Sequence, residues 1–384
     1  MRVLYSFPTR LGTPGIGTTA WHQIAALAEH GVAVTVACGS SERSLPEGVR
    51  VVETLRPAGL KLPYRLLGFM RAMHLHDRRA AALLRELRRE IDIVHCWPLG
   101  AERTLATARR LGVCGVLERP NAHTRFAFAA VEQACRELGL AVDSSSPHYA
   151  RPDRLAREER EYALADRLLC PSEFVARSFR DEGVPEARLV RHRYGYDPTQ
   201  FGPAARQNGD RPFTVGFVGR GEPRKGLHLA LQAWLRSGAA DHGRFVIAGS
   251  IEPAYEALLE PLLAHPSVRQ HGHVENPATL MRSFDVLVLP SLEEGSALVT
   301  YEARACGCVL AVSDRSGAHC TNGVDALVHP AGDVLVLTSH LAALAQDNGL
   351  RGRLRAASLS GAGELTWSGA GRALAGAYAA AVGA

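Results

Sequence analysis

The stretch FDVLVLPSLEEGSALVTYEARACG, Phe284 to Gly307, decides how this chain is read. It begins as a short apolar run, passes through a loop of acidic and small residues, and ends with apolar residues at helical spacing. A buried strand, a loop and a helix in that order make one arm of a βαβ unit. Two glutamates mark the arm. Glu294 lies in the loop and Glu302 falls in the helix beyond it, so the pair need not share a helix face.

The alternation repeats outward from this stretch. In the second half, FTVGFVG, RFVIAG, VRQHGHV, VLAVSD and ALVHP read as strands, with helices predicted at 227–235, 255–263, 277–282 and 299–305. In the first half, RVLYSF, VAVTVACG, DIVHCW, VCGVLE and RLLCPS are strand candidates, with helical spacing at 18–30 and 102–111. A polar passage rich in Pro and Gly, residues 197–212, interrupts the pattern and reads as a linker. The expected fold is therefore α/β, two Rossmann-like doubly wound domains facing across a cleft. Residues 1–200 form the first and 208–367 the second, with a C-terminal helix near 368–384 packing back on the first. Ligands of such sheets bind beyond the carboxyl ends of the strands, so chemistry is sought in the strand-to-helix loops.

Composition agrees with a globular chain. The 384 residues suffice for two cores, and 46% hydrophobic with 22% charged content excludes disorder and fibrous repeats. Eight cysteines without a C-x-x-C read as free, buried thiols, with no structural metal expected. The N-terminus lacks the apolar run of a signal peptide, and no stretch is long and apolar enough to span a bilayer. Between Lys61 and Glu90, eight basic residues face three acidic ones, a surplus equal to the whole chain's net charge of +5. That stretch reads either as a solvated helix face or as a face drawn to an anionic membrane. Mild basicity without an interleaved aromatic platform gives no support to nucleic-acid binding.

Two further loops carry chemistry. Gly12, Gly15 and Gly17 follow the first strand and precede a helix; such glycines let backbone amides approach an anion, and equally suit an ordinary tight turn. The spacing is not G-x-G-x-x-G and no acid closes the second strand, which argues against a dinucleotide. In VGRGEPRKG, Arg220 and Lys225 stand five residues apart beside a helix start, a pair of cations suited to a diphosphate.

Taken together, PSLEEGSALVTYEARACG with its E-x7-E pattern, VGRGEPRKG, NGVDALVHPAGD, ADRLLCPSEFVARSF, YGYDPTQF and ELTWSGAGRALAGAY resemble the retaining glycosyltransferases of family 4, a GT-B type family, over nearly the whole chain. The resemblance implies a metal-independent hexosyltransferase that needs no cofactor and uses a nucleotide diphosphate sugar, UDP- or GDP-linked, as donor. It implies that Arg220 and Lys225 neutralise the diphosphate and that Glu302 binds the ribose. Glu294, with the amides of Gly295, Ser296, Ala297 and Leu298, would bind the transferred sugar. Gly15 and Gly17 would lie under the phosphates, the base would be bracketed by backbone near Val274, and His123 would stand near the donor sugar.

The implied acceptor is a hydroxyl on a glycan, a lipid-linked molecule or a small molecule. Cell-surface polysaccharide or glycolipid synthesis is the leading reading, in the cytoplasm or at the inner face of the membrane, with possible peripheral contact with anionic lipid. A soluble natural-product acceptor and a non-catalytic nucleotide-sugar-binding protein are the alternatives. Where the family has E-G-F-G-L this chain has Glu294-Gly295-Ser296-Ala297-Leu298, so sugar identity does not carry over.

Overall fold

The computed structural model describes residues 1–56, 68–203 and 211–383. Lys61 and Arg65 of the basic stretch, and residues 204–210 of the expected linker, lie outside the described residues. The chain divides into two compact units. One comprises Met1–Thr124, Arg151–Tyr194 and Trp367–Ala384; the other comprises Arg125–Ala150 and Gly195–Thr366.

The first unit is built on a parallel sheet of seven described strands: β1 (Arg2–Leu11), β2 (Ala33–Ser41), β3 (Arg50–Glu53), β4 (Ile93–Cys96), β5 (Cys114–Glu118), β6 (Arg167–Cys170) and β7 (Leu189–Arg191). Their order is β3-β2-β1-β4-β5-β6-β7. Residues alternate between two cores, as the period of two in a strand requires. Leu4, Val94, Leu117 and Leu168 enter one cluster, while Val3, Tyr5, Ile93, Val116 and Leu169 enter the other. Both faces are buried, which is why these strands read as continuous apolar runs. The helices are α1 (Ile16–Glu29), α2 (Phe69–Glu86), α3 (Glu102–Leu111), α4 (Thr124–Glu137), α5 (Pro152–Leu164) and α6 (Glu173–Asp181), of which all but most of α4 belong to this unit. The two edge strands escape a periodicity search. β3 begins and ends on a charge, as exposed edges often do, and β7 has three residues.

The second unit repeats the plan with β8 (Phe213–Val218), β9 (Gly243–Ala248), β10 (Val268–Gly272), β11 (Val286–Leu289), β12 (Val309–Ser313) and β13 (Ala326–His329), ordered β10-β9-β8-β11-β12-β13 and parallel throughout. Every residue of β11 is buried. Its helices are α7 (Leu227–Arg236), α8 (Pro253–Leu263), α9 (Pro277–Met281), α10 (Leu298–Ala305), α11 (Val334–Gln346) and α12 (Asn348–Ala362). The last helix, α13 (Trp367–Val382), returns to the first unit, where the Tyr378 hydroxyl meets His95 Nδ1 at 2.5 Å. In both units the chain direction across the sheet reverses between the first and fourth strands, the switch point at which ligands of doubly wound sheets bind. All eight cysteines are free. Among the described residues no helix is long and apolar enough to cross a membrane.

The first unit buries a histidine between strands and helix. His76 of α2 is closed off from solvent, with Ser6 Oγ 2.9 Å from one ring nitrogen and Thr54 Oγ1 2.7 Å from the other. Burial pushes its pKa down to about 3. A histidine neutral in the fold and titrating near its ordinary value when unfolded stabilises the protein fully above about pH 6.5 and loses that contribution as pH falls toward 3. The urea midpoint should therefore drop between about pH 7 and about pH 4, and His76→Gln should show a shallower drop. Identical slopes in both proteins would remove His76 from the acid response.

Candidate active site

The second unit brings the predicted cations and carboxylates to its switch point. The loop between β8 and α7 and the loop between β11 and α10 leave adjacent central strands, so they emerge side by side. The first loop turns through Gly219 into a 3-10 turn, Pro223–Lys225, and ends on Gly226. Gly226 has φ of 70°, and a Cβ there would lie 2.4 Å from the Pro290 carbonyl oxygen, so this close approach of the two loops requires glycine. A backbone bond from the Leu292 amide to the Arg224 carbonyl, 2.8 Å, ties them further.

Arg224 locks the pair. Its buried guanidinium donates through Nη1 to the Glu293 carbonyl at 2.8 Å and to Glu294 Oε2 at 3.0 Å, and through Nη2 to Glu222 Oε1 at 2.8 Å. Glu293 Oε2 lies 3.3 Å from the same Nη1. Lys225 Nζ stands 3.4 Å from Glu294 Oε2. Burial opposes the charge on Glu294, but Arg224 and Lys225 outweigh it and hold its carboxyl below the ordinary value. Glu294 is thus kept as an anion with acceptor lone pairs to spare. Arg220 behaves differently: its side chain is mostly exposed and pairs with Glu252 at 3.0 Å, beside a cavity of about 280 Å³ that Asp143, His148 and Tyr255 also line.

Glu302 lies on α10, half-buried, and burial pushes its carboxyl up to about 7. Ahead of it, α10 begins at Leu298 without a side-chain cap. One of the four loop amides expected to face a sugar has a partner within the protein. The Ala297 amide donates to the Ser316 carbonyl at 3.3 Å, because the loop after β12 packs against this turn. Ser296 explains that packing: its hydroxyl donates to the Gly317 carbonyl at 3.2 Å and meets the Tyr301 hydroxyl at 2.7 Å. Gly317 sits so close that a Cβ would fall 2.2 Å from the Gly295 carbonyl oxygen. Val274 is half-buried just past β10.

Three predicted residues belong to the first unit. Gly15 precedes α1 with φ of 86° and is exposed, whereas Gly17 is buried and a Cβ there would meet the Arg10 carbonyl at 2.6 Å. His123 is buried between the rings of Tyr162 and Phe179, at centroid distances of 5.1 and 5.0 Å, and its amide donates to Ser178 Oγ.

Sequence reasoning passed over Arg224, Glu222 and Glu293. A signal was present: the acid doublet Glu293-Glu294 on one loop and the run Glu222-Pro-Arg-Lys225 on the other, charges too dense for a buried turn unless paired.

Two parallel α/β units of this strand order make the GT-B type fold. Sucrose-phosphate synthase from Thermosynechococcus elongatus shares the fold with a TM-score of 0.69 at 17% identity, over 99% of this chain and 98% of that one. HepE of Anabaena, solved in complex with UDP-glucose, gives 0.66 at 14% identity, over 99% and 100%. In sequence, residues 14–200 match the model described as Glycosyltransferase Family 4, and residues 212–347 match Glycosyl transferases group 1. A D-inositol 3-phosphate glycosyltransferase of Kribbella flavida is 27% identical over 377 residues, covering 89% of this chain and 84% of the relative. The chain belongs to glycosyltransferase family 4.

Removing Arg224 takes the guanidinium away from the buried Glu293 and from the half-buried Glu294, which keeps only Lys225 of the two cations that pair with it. Arg224→Ala should cost roughly 3–5 kcal/mol, read as a lowered urea midpoint, and Arg224→Lys should cost less. A midpoint unchanged by Arg224→Ala would show that the cluster contributes nothing to stability.

Proposed function

We propose that this glycosyltransferase moves a sugar, with retention at the anomeric carbon, from a nucleotide diphosphate sugar to a hydroxyl acceptor in cell-surface polysaccharide or glycolipid synthesis. The observation that carries this reading is the Lys225–Glu294 pair, 3.4 Å apart at the switch point of the second unit. It sets a cation suited to a departing phosphate against a carboxylate suited to sugar hydroxyls. The structural neighbour solved with UDP-glucose supports a uridine diphosphate donor over a guanosine one.

In this reading the bond from the anomeric carbon to the β-phosphate oxygen breaks as the acceptor oxygen attacks from the same face. The acceptor proton leaves with the phosphate. Lys225, held against Glu294, neutralises the charge that builds on the diphosphate without reorganising at the moment of reaction. Arg220 joins it by turning from Glu252 to the diphosphate. No step assigned to them calls for a metal ion. Glu294, held ionised, accepts hydrogen bonds from the sugar, with the Gly295, Ser296 and Leu298 amides as neighbouring donors. Its role in this reading is to bind hydroxyls rather than to attack the sugar, with Oε2 held by Arg224 and Lys225. Glu302 accepts from the ribose hydroxyls and Val274 flanks the base. Gly15, Gly17 and His123 keep the roles that the family resemblance gives them.

Lys225→Ala and Glu302→Ala should each lower transfer by about 100-fold or more, with circular dichroism unchanged. The assay combines the purified chain with a panel of UDP and GDP sugars, read by thermal shift and by release of the nucleotide. Full activity in both variants would overturn the proposal; a thermal shift with no nucleotide release would instead indicate a binding protein.

The pH response adds a second test. Glu302 gains a proton as pH falls through about 7, and a protonated carboxyl is the weaker acceptor. UDP affinity should fall over that range in the native protein and stay flat in Glu302→Gln. A native affinity independent of pH would remove Glu302 from the ribose site.

A further inference from the structure

A groove in the first unit takes no part in the proposed reaction. It runs between α2 and α3, and Arg78, Arg79, Arg85, Arg103 and Arg110 line it. On α2, Arg78, Ala82 and Arg85 follow one another at spacings of four and three. On α3, Arg103, Ala106 and Arg110 do so at three and four. Each trio therefore forms one stripe along its helix. The alanines between the arginines leave a hollow of about 580 Å³ rather than a flush helix contact. Asp77 fixes the two helices in this relation by accepting the Arg103 and Thr104 amides, each at 2.9 Å.

The described lining of the groove is basic. None of the described lining residues is acidic. Two nearby carboxylates are engaged elsewhere: Asp77 is buried on the α3 amides and Arg157, and Glu102 pairs with Arg157 and Arg160. An arginine face that merely solvates a helix carries acids three or four residues away, which these stripes lack. Like charges gathered in a concave site repel one another, and an anion bound there relieves the repulsion. Guanidinium groups match phosphate oxygens in shape, two donors to two acceptors. Along each helix the outer arginines lie seven residues apart, about 10 Å, so the groove suits several phosphate esters better than a single small anion.

We propose that the α2–α3 groove is a binding site for phosphate-ester anions, separate from the diphosphate site of the second unit. The inference rests on the groove alone and does not depend on the transfer reaction. Headgroups of an anionic lipid surface and free phosphate offer the same chemistry, and the experiment separates them.

The full chain is co-sedimented at low salt with vesicles of phosphatidylcholine, with and without phosphatidylglycerol, and separately titrated with inorganic phosphate in a thermal-shift assay. Three proteins are compared: the native chain, the groove variant Arg85→Ser/Arg110→Ser, and Arg88→Ser/Arg89→Ser, which removes the same charge outside the groove. Binding to phosphatidylglycerol vesicles that weakens about tenfold in the groove variant and persists in the other establishes the site and its lipid source. A saturable phosphate shift lost only in the groove variant, without vesicle binding, establishes the site for free phosphate. Absence of both signals in the native chain, or equal losses in the two variants, overturns the proposal. Circular dichroism checks the fold, and should the double variant unfold, Arg85→Gln alone repeats the comparison.

Discussion

The candidate site depends on one buried guanidinium. Arg224 cannot shed its charge, so a fold that buries it must bring carboxylates to it. Those carboxylates come from both loops of the switch point, Glu222 from the first and Glu293 and Glu294 from the second. Meeting Arg224's needs therefore fixes the distance between the loops. Lys225, the next residue, is carried against Glu294 as a consequence. Gly226 allows the approach from the backbone side, where any larger residue would strike Pro290. The ionised state of Glu294 follows from the same arrangement, since Arg224 and Lys225 outweigh the effect of burial on it.

The first unit secures its own strand ends by similar means. Glu161, buried on α5, accepts the amides of Leu99 and Ala101 just beyond β4, at 2.8 and 3.1 Å. Leu99 there has φ of 70°, the one non-glycine residue with positive φ among the described residues. Glu118, at the end of β5, receives Gln23, His192 and Tyr194 on its two oxygens. A loop that leaves a fully buried strand carries backbone groups that must find partners, and buried carboxylates supply them. Glu118 ends β5, and Arg224 and Glu293 lie in the loops beyond β8 and β11, the strand ends at which doubly wound sheets bind ligands.

Much of the architecture was legible because parallel strands buried on both faces leave continuous apolar runs. β11, VLVL, and β12, VLAVS, need no context to be recognised. β3 and β7 were hidden because an edge strand is short and carries charge. Of the site, the glutamates of the E-x7-E pattern and the cations of VGRGEPRKG could be named from spacing and resemblance. Lys225 does meet Glu294, whereas Arg220 pairs with Glu252. The partner of the Ala297 amide was not legible, because the Ser316 carbonyl lies nineteen residues on and is delivered by a different strand. Ser296 gained its meaning in the same way, through the Gly317 carbonyl.

The sequence by itself determined the local quantities: which runs are strands, where glycines permit tight turns, and which loops hold acids and cations. These follow from period, backbone freedom and side-chain type, which neighbouring residues settle among themselves. Tertiary structure alone decided the pairings. That Arg224 is shared by carboxylates of two loops, that Ala297 spends its amide on a neighbouring loop, and that arginines of α2 and α3 face one hollow all depend on contacts distant in sequence. The physical reason is that burial and charge compensation are properties of three-dimensional neighbours. A residue's type names what it needs, and the packed sheet determines what it meets.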